Sequence, residues 1–257
     1  MGGWRGRVAQ YLAEKRLEAP LHFTLIDPDE VSGDLDQASK LVEPMVSAGT
    51  DVILVGGSIG VSESLLDDII SSLKRYGLPV VLFPGNVNGL SKEADAVLFM
   101  SLLNSDDPYY IVGAQVQGAI IVKRYGLEVL PTAYLIVGYG GAAGYIGRAR
   151  PLPLDKPEIT TAYALAAEML GMRYIYLEAG SGAPVHVPAE MIASVRKALS
   201  SSTMLIVGGG IRSPEAARRV VEAGADIVVT GTIVEEDSER AASIVRSIKS
   251  QGRRTSS

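Results

Sequence analysis

Glu178 closes the run Tyr174-Ile-Tyr-Leu-Glu178 and stands directly before Ala179-Gly180-Ser181-Gly182. Side chains alternate along a strand, so Tyr176 and Glu178 share a face. A carboxylate at such a strand end could take a proton from a substrate hydroxyl as general base. It could equally serve as an acceptor for nearby backbone amides. A second carboxylate ends the run Thr24-Leu-Ile-Asp27-Pro-Asp29. Hard oxygen ligands of this kind suit Mg²⁺, which is usually held by one or two carboxylates plus substrate phosphates. The plainer alternative for Asp27 or Asp29 is an Asx turn. A third run ends in Val55-Gly-Gly-Ser58. Ser58 could supply an oxygen near the same ion, or the segment could be a simple turn.

Two more strand ends carry glycine: Leu205-Ile-Val-Gly208-Gly209-Gly210-Ile211 and Ile227-Val-Val-Thr230-Gly231-Thr232. Glycine admits close backbone approach, and helices that follow such turns offer unpaired N–H groups to an anion. In a (β/α)8 barrel the loops after the last strands form the usual phosphate site. A phosphorylated substrate at the C-terminal face of a barrel is therefore expected. The stretch Gly138–Gly147, followed by Arg148 and Arg150, reads either as a mobile lid whose arginines clamp phosphate or as a solvated surface loop. His22 and His186 are scattered and make no metal pair. Gly208–Gly210 lacks the dinucleotide fingerprint and no Walker motif is present, so a nucleotide cofactor is not indicated.

The elements that must hold these residues alternate from end to end. Near-continuous apolar runs, as buried parallel strands require, are expected at Leu21–Ile26, Asp51–Val55, Pro79–Phe83, Ala96–Met100, Glu128–Val137, Arg173–Glu178, Met204–Val207 and Asp226–Thr230. Helical patterns lie at Leu35–Ala48, Ser62–Tyr76, Pro108–Tyr125, Pro157–Leu170, Pro188–Leu199, Pro214–Ala223 and Glu235–Ser250, most with glycine just beyond as a left-handed cap. One connection is too short and too rich in Pro, Gly and Asn for a normal crossover: the dozen residues between Phe83 and Ala96. The expectation is a modified (β/α)8 TIM barrel, one domain over residues 1–257, with the third helix missing or replaced by an extended segment. That gap would open a groove on the flank. A preliminary helix, Trp4–Leu17, is placed to plug the lower end.

At 257 residues the chain suits one such barrel, and its hydrophobic fraction of 47% is ample for a large core. No apolar run approaches the roughly 18 residues of a membrane span, and the first residues lack the apolar core of a signal peptide. With no cysteine there is no thiolate metal site, disulfide or cysteine nucleophile, and a cytoplasmic location is the default. The net charge of −5 argues against a nucleic-acid surface.

Together, Leu25-Ile-Asp-Pro-Asp29, Val55-Gly-Gly-Ser58, Phe83-Pro-Gly-Asn86, Ser101-Leu-Leu-Asn-Ser105, Tyr176–Gly182, Val207-Gly-Gly-Gly210 and Thr230-Gly231 resemble geranylgeranylglyceryl phosphate synthase, over nearly the whole chain from Leu21 to Val234. The short third connection is similar as well. The resemblance implies a prenyltransferase of ether-lipid (phospholipid) biosynthesis, joining geranylgeranyl diphosphate to sn-glycerol 1-phosphate. It implies Mg²⁺ on the diphosphate, held by Asp27 and Ser58, and Glu178 as catalytic base. The glycerol phosphate would lie against Tyr176, Leu177, Glu178, Ala179, Gly180, Ser181, Gly182, Gly208, Gly209, Thr230 and Gly231. Asn86, Asn104 and Tyr134 are candidate lining or diphosphate contacts. Where some relatives carry a lysine two residues before the metal aspartate, this chain has Leu25. A homo-oligomer is expected, and lipophilic donor and product leave room for peripheral membrane contact. The rivals are a synthase of another prenyl length such as heptaprenyl, a phosphosugar-type barrel enzyme, and a non-catalytic phosphate- or lipid-binding barrel.

Overall fold

The architecture is that of a computed structural model, which describes residues 4–28, 35–56 and 63–252. Eight parallel strands close a barrel in chain order: β1 Leu21–Ile26, β2 Val52–Gly56, β3 Val80–Phe83, β4 Ala96–Leu102, β5 Glu128–Ile136, β6 Tyr174–Glu178, β7 Met204–Gly208 and β8 Ile227–Thr230. Alternation along each strand divides the core in two. Phe23, Leu54, Val81, Leu98, Tyr134, Tyr176, Ile206 and Val229 fill the interior. Their neighbours, such as Ile53, Leu82, Ile175 and Val207, pack outward against helices. This two-sided burial is why the strands read as unbroken apolar runs.

The helices are α1 Val8–Lys15, α2 Leu35–Ala48, α3 Glu63–Leu73, α4 Ala114–Tyr125, α5 Gly141–Ile146, α6 Pro157–Met169, α7 Ala189–Ala198, α8 Pro214–Glu222, α9 Thr232–Glu236 and α10 Ser238–Lys249. Helix α1 closes the barrel's lower end, its Val8 and Leu12 buried in the interior cluster. The Glu128 carboxylate accepts from Val8 N (2.7 Å) and Ala9 N (2.9 Å), giving partners to two otherwise orphaned donors of that helix. The glycines after helices, Gly49, Gly77, Gly126, Gly171 and Gly224, all have positive φ.

Between β3 and β4 the chain makes one short helical turn, Val87–Gly89, with Asn86 Oδ1 accepting from Asn88 N at 2.7 Å. The expected third crossover helix is thus replaced. The seam below it is also short: β3 and β4 pair at two positions, whereas β4 and β5 pair at seven. Several elements depart from the sequence reading, two of them for a plain reason. Strand β4 runs on to Leu102 because Ser101 and Leu102 keep pairing with Ala133 and Tyr134. The helix expected at Glu235–Ser250 is divided, because Asp237 leaves helical geometry and its carboxylate accepts from Arg240 N at 3.0 Å, starting α10 afresh.

Candidate active site

A cavity of about 910 Å³ opens at the carboxyl ends of the strands. On β6, Tyr176 and Glu178 point inward together, opposite Tyr134 and Ile136 of β5 in register. Phe83, Tyr134 and Tyr176 form an aromatic floor, with the Tyr134 and Tyr176 rings 5.1 Å apart and edge-on. Glu178 sits above this floor, buried, with the hydroxyls of both tyrosines near enough to favour its charged form. Its Oε1 accepts from Gly180 N at 2.6 Å. Burial pushes the carboxyl above its usual range, while the Gly180 amide and the two hydroxyls pull it partly back. The tyrosines are pushed well above theirs, first by burial and then by the neighbouring carboxylate. The carboxylate thus accepts from a backbone amide of the following turn and also lines the cavity, where a general base would have to stand.

The glycines of β7 make room for this pair. A Cβ on Gly208 would stand 2.9 Å from the Tyr176 ring. One on Gly209, whose φ is +82°, would collide with Glu178 Oε1 and lie 2.6 Å from Gly180 N. Glycine is required there on both counts. Gly209, Gly210, Thr230, Gly231 and Thr232 then line one corner of the cavity with Ser181 and Gly182 opposite. Ser181 Oγ and Thr232 Oγ1, 3.0 Å apart, bridge the two sides. Backbone and small hydroxyls dominate this corner, as an anion pocket demands.

From the mouth the cavity continues past Phe83 and Pro84, over the short β3–β4 seam, to the outer face of β4. There Val87, Leu90, Val97, Phe99, Gly118 and Val122 line an apolar groove under α4. It lies where the third helix would otherwise pack. Gly118 allows this, since its Cβ would already touch Leu90 and Val87 at 3.7 Å. In the same wall Gln115 donates to the Met100 carbonyl, and its own amide oxygen is buried with no hydrogen-bond partner.

The predicted residues do not all arrive in the cavity. Asp27, Tyr176, Glu178, Ser181, Gly182, Gly209, Thr230, Gly231, Asn86 and Tyr134 line it; Leu177, Ala179, Gly180 and Gly208 stand behind it. Leu177 faces the helical layer. The Thr230 hydroxyl turns outward to His22, leaving backbone to face the cavity. Asn104 is structural: its amide donates to the Ile136 and Arg150 carbonyls at 2.9 and 2.8 Å, tying β4 to β5 and the following loop. The expected lid contains α5, and Ala142, Ala143 and Ile146 do line the mouth. Its arginines do not. Arg148 and Arg150 are exposed and pair with Asp107 and Asp106 at 3.6 and 4.0 Å. Arg212, which the sequence reading passed over, lines the cavity instead and pairs with Glu236. Its signal was modest: an arginine two residues after the triple glycine of β7. His186 bonds the Val187 carbonyl at 2.7 Å. Ser58 and Asp29 lie outside the described residues. Among the described residues no three His, Asp or Glu side chains converge on a metal site. The Asp27 carboxylate at the mouth suits an ion held mainly by substrate phosphate and water.

These features define a (β/α)8 barrel that sets a buried carboxylate between an anion corner and an apolar groove. The chain belongs to the PcrB family, whose model matches residues 10–249. It is 53% identical over 254 residues to geranylgeranylglyceryl phosphate synthase of Sulfolobus acidocaldarius, covering 98% of both chains. It is 51% identical to that of Aeropyrum pernix, covering 96% of this chain and 98% of the relative. The structure of (S)-3-O-geranylgeranylglyceryl phosphate synthase from Thermoplasma acidophilum, in complex with its substrate sn-glycerol-1-phosphate, is similar with TM-score 0.89 and 40% identity, covering 97% of this chain and all of that one. A thiamine phosphate pyrophosphorylase from Pyrococcus furiosus, at 15% identity and TM-score 0.57, shares the fold alone.

Proposed function

We propose that the protein transfers the geranylgeranyl group of geranylgeranyl diphosphate to a hydroxyl of sn-glycerol 1-phosphate, forming an ether. The observation that carries this reading is the continuity of one cavity: Glu178 lies between the glycine-lined corner and the apolar groove. The names of the relatives, and the glycerol phosphate bound by the Thermoplasma acidophilum protein, support it. The small polar substrate is placed in the corner, its phosphate against Gly209, Gly231 and Ser181, and the C20 chain in the groove. The carbon–oxygen bond to diphosphate breaks with the electron pair leaving on the diphosphate. The glycerol oxygen bonds to the allylic carbon, and its proton passes to Glu178. Asp27 and Ser58 would hold Mg²⁺, which when bound neutralises charge on the diphosphate. Arg212 supplies fixed positive charge at the same mouth.

A phosphosugar isomerase has no use for an apolar groove under α4, which favours the prenyl reading. The described helices include none long and apolar enough to cross a membrane. Peripheral contact with a bilayer, in a cytoplasmic setting, fits a lipophilic donor and product. A homo-oligomer fits α4 and the turn before it, where Val112, Val116 and Ile120 are more than half exposed. The test is a turnover assay with sn-glycerol 1-phosphate, geranylgeranyl diphosphate and Mg²⁺, with sn-glycerol 3-phosphate and EDTA as controls. An ether product restricted to the 1-phosphate and lost with EDTA is expected. No product from any prenyl donor would overturn the reading.

A further inference from the structure

His22 lies on β1, facing the helical layer, with no exposed surface. Its ring bridges two elements: Nδ1 is 2.9 Å from Thr50 Oγ1, and Nε2 is 2.9 Å from Thr230 Oγ1 at the end of β8. The hydrogens around Thr50 can be counted. Its single hydroxyl proton goes to the His22 carbonyl at 3.0 Å, and Thr24 Oγ1 donates into it at 3.0 Å. With the Thr50 proton so placed, Thr50 accepts from His22 Nδ1–H. In that tautomer Nε2 accepts and the Thr230 hydroxyl donates to it; in the other, Nε2–H donates to Thr230 Oγ1, and the bridge between β1 and β8 is the same. The His22 backbone is anchored as well: Asp51 Oδ2 accepts from the His22 amide N at 2.9 Å and is ion-paired with Lys249 at 2.9 Å.

Thr230 is the residue at which β8 enters the cavity, and Gly231 follows it. Its hydroxyl is engaged by the imidazole on the outer side of the barrel, away from the cavity. The bond instead tethers a side chain that is stiff at χ1 to β1, and so restrains the Cα from which the Thr230–Gly231 peptide leaves the strand. Nothing in the reaction uses His22 directly, since the barrel wall separates it from the cavity.

We infer that His22 is a positioning residue for the anion corner, holding the Thr230–Gly231 backbone in binding geometry through the Thr230 hydroxyl. The inference rests on the proposed placement of the glycerol phosphate against that corner. A loosened strand end there would weaken capture of the phosphate while leaving Glu178 and the prenyl groove as they are. The effect is therefore specific to one substrate.

The experiment compares wild type with His22→Gln, Thr230→Val, Thr230→Ser and the Gln/Val double variant. Steady-state kinetics is run in both substrates, and calorimetric titration with sn-glycerol 1-phosphate alone reads binding without turnover. Losing one buried hydrogen bond from a binding geometry predicts a rise of about tenfold in KM and Kd for the glycerol phosphate in His22→Gln and Thr230→Val. The donor KM and kcat should move less than twofold. Thr230→Ser, which keeps the hydroxyl, should recover most of the glycerol-phosphate affinity lost in Thr230→Val, and the double variant should be no worse than His22→Gln. A merely structural role would lower Tm and leave the glycerol-phosphate KM alone. Unchanged KM and Kd in both single variants, with wild type active, would overturn the inference and spare the proposed function. Wild type without turnover that still binds sn-glycerol 1-phosphate would overturn the function reading alone, and Kd would then decide the inference. Wild type that binds no glycerol phosphate would overturn both.

Discussion

At the scale of single residues, the base in the proposed reaction is Glu178, a carboxyl on which burial and three nearby donors act in opposite directions. Burial raises its proton affinity, and the Gly180 amide and two tyrosine hydroxyls keep it ionisable. Replacing it with glutamine preserves the volume and can still accept from Gly180 N, but provides no base. Glu178→Gln should lower kcat by roughly 10²- to 10⁴-fold. Binding of sn-glycerol 1-phosphate should change only a few-fold, measured by calorimetry. A variant that kept more than a tenth of wild-type kcat would remove Glu178 from the role of base.

Among the elements, the replaced third helix and α4 decide what enters the groove. Gly118 lies where α4 meets Val87 and Leu90, so a large side chain there projects into the passage. Gly118→Phe should raise the KM for a C20 donor at least tenfold and spare a C10 donor, read from product chain lengths in competition assays. Equal loss with both donors would mean that the prenyl chain does not pass this point. At the other end of the barrel, α1 depends on Glu128 for two of its first amides. Glu128→Ala should cost about 1–2 kcal/mol of stability, the usual range for a lost helix cap, visible as a lowered Tm. Turnover at 25 °C should be unaffected, because the plug and the cavity occupy opposite ends of the barrel. A change in kcat without a change in Tm would contradict this division.

Across the whole molecule, the buried His22 network makes stability depend on pH. Burial, helped by the nearby Lys249 charge, pushes the imidazole down from 6.5 to about 3. Between those values the unfolded chain takes up a proton that the native protein refuses. The contribution is thus complete above pH 6.5 and is lost as pH falls toward 3. By pH 5 it amounts to about 2 kcal/mol. Buried Asp51 and Glu178, both raised, act in the opposite sense, so the comparison must isolate the histidine. Chemical denaturation at pH 7.5 and pH 5 should show wild type losing about 2 kcal/mol more than His22→Gln. Equal losses would place the proton elsewhere.

Much of this molecule was legible along the chain. Periodicity and turn chemistry are properties of sequence neighbours, so eight buried strands, the helix caps and the short third connection could be read from adjacent residues. So could the strand-end positions of Asp27, Glu178 and the β7 and β8 glycines, because strand ends fall together once a parallel barrel closes. The tertiary structure alone decided which way side chains face and what they meet across the barrel. It turned the Thr230 hydroxyl to His22, 208 residues away in sequence. It drew Arg212 into the cavity, and left Arg148 and Arg150 on the surface with aspartates. It used Asn104 as a staple, and it joined the anion corner to the groove. Each of these outcomes depends on register and closure, which bring distant residues within hydrogen-bonding range and leave no trace in local spacing.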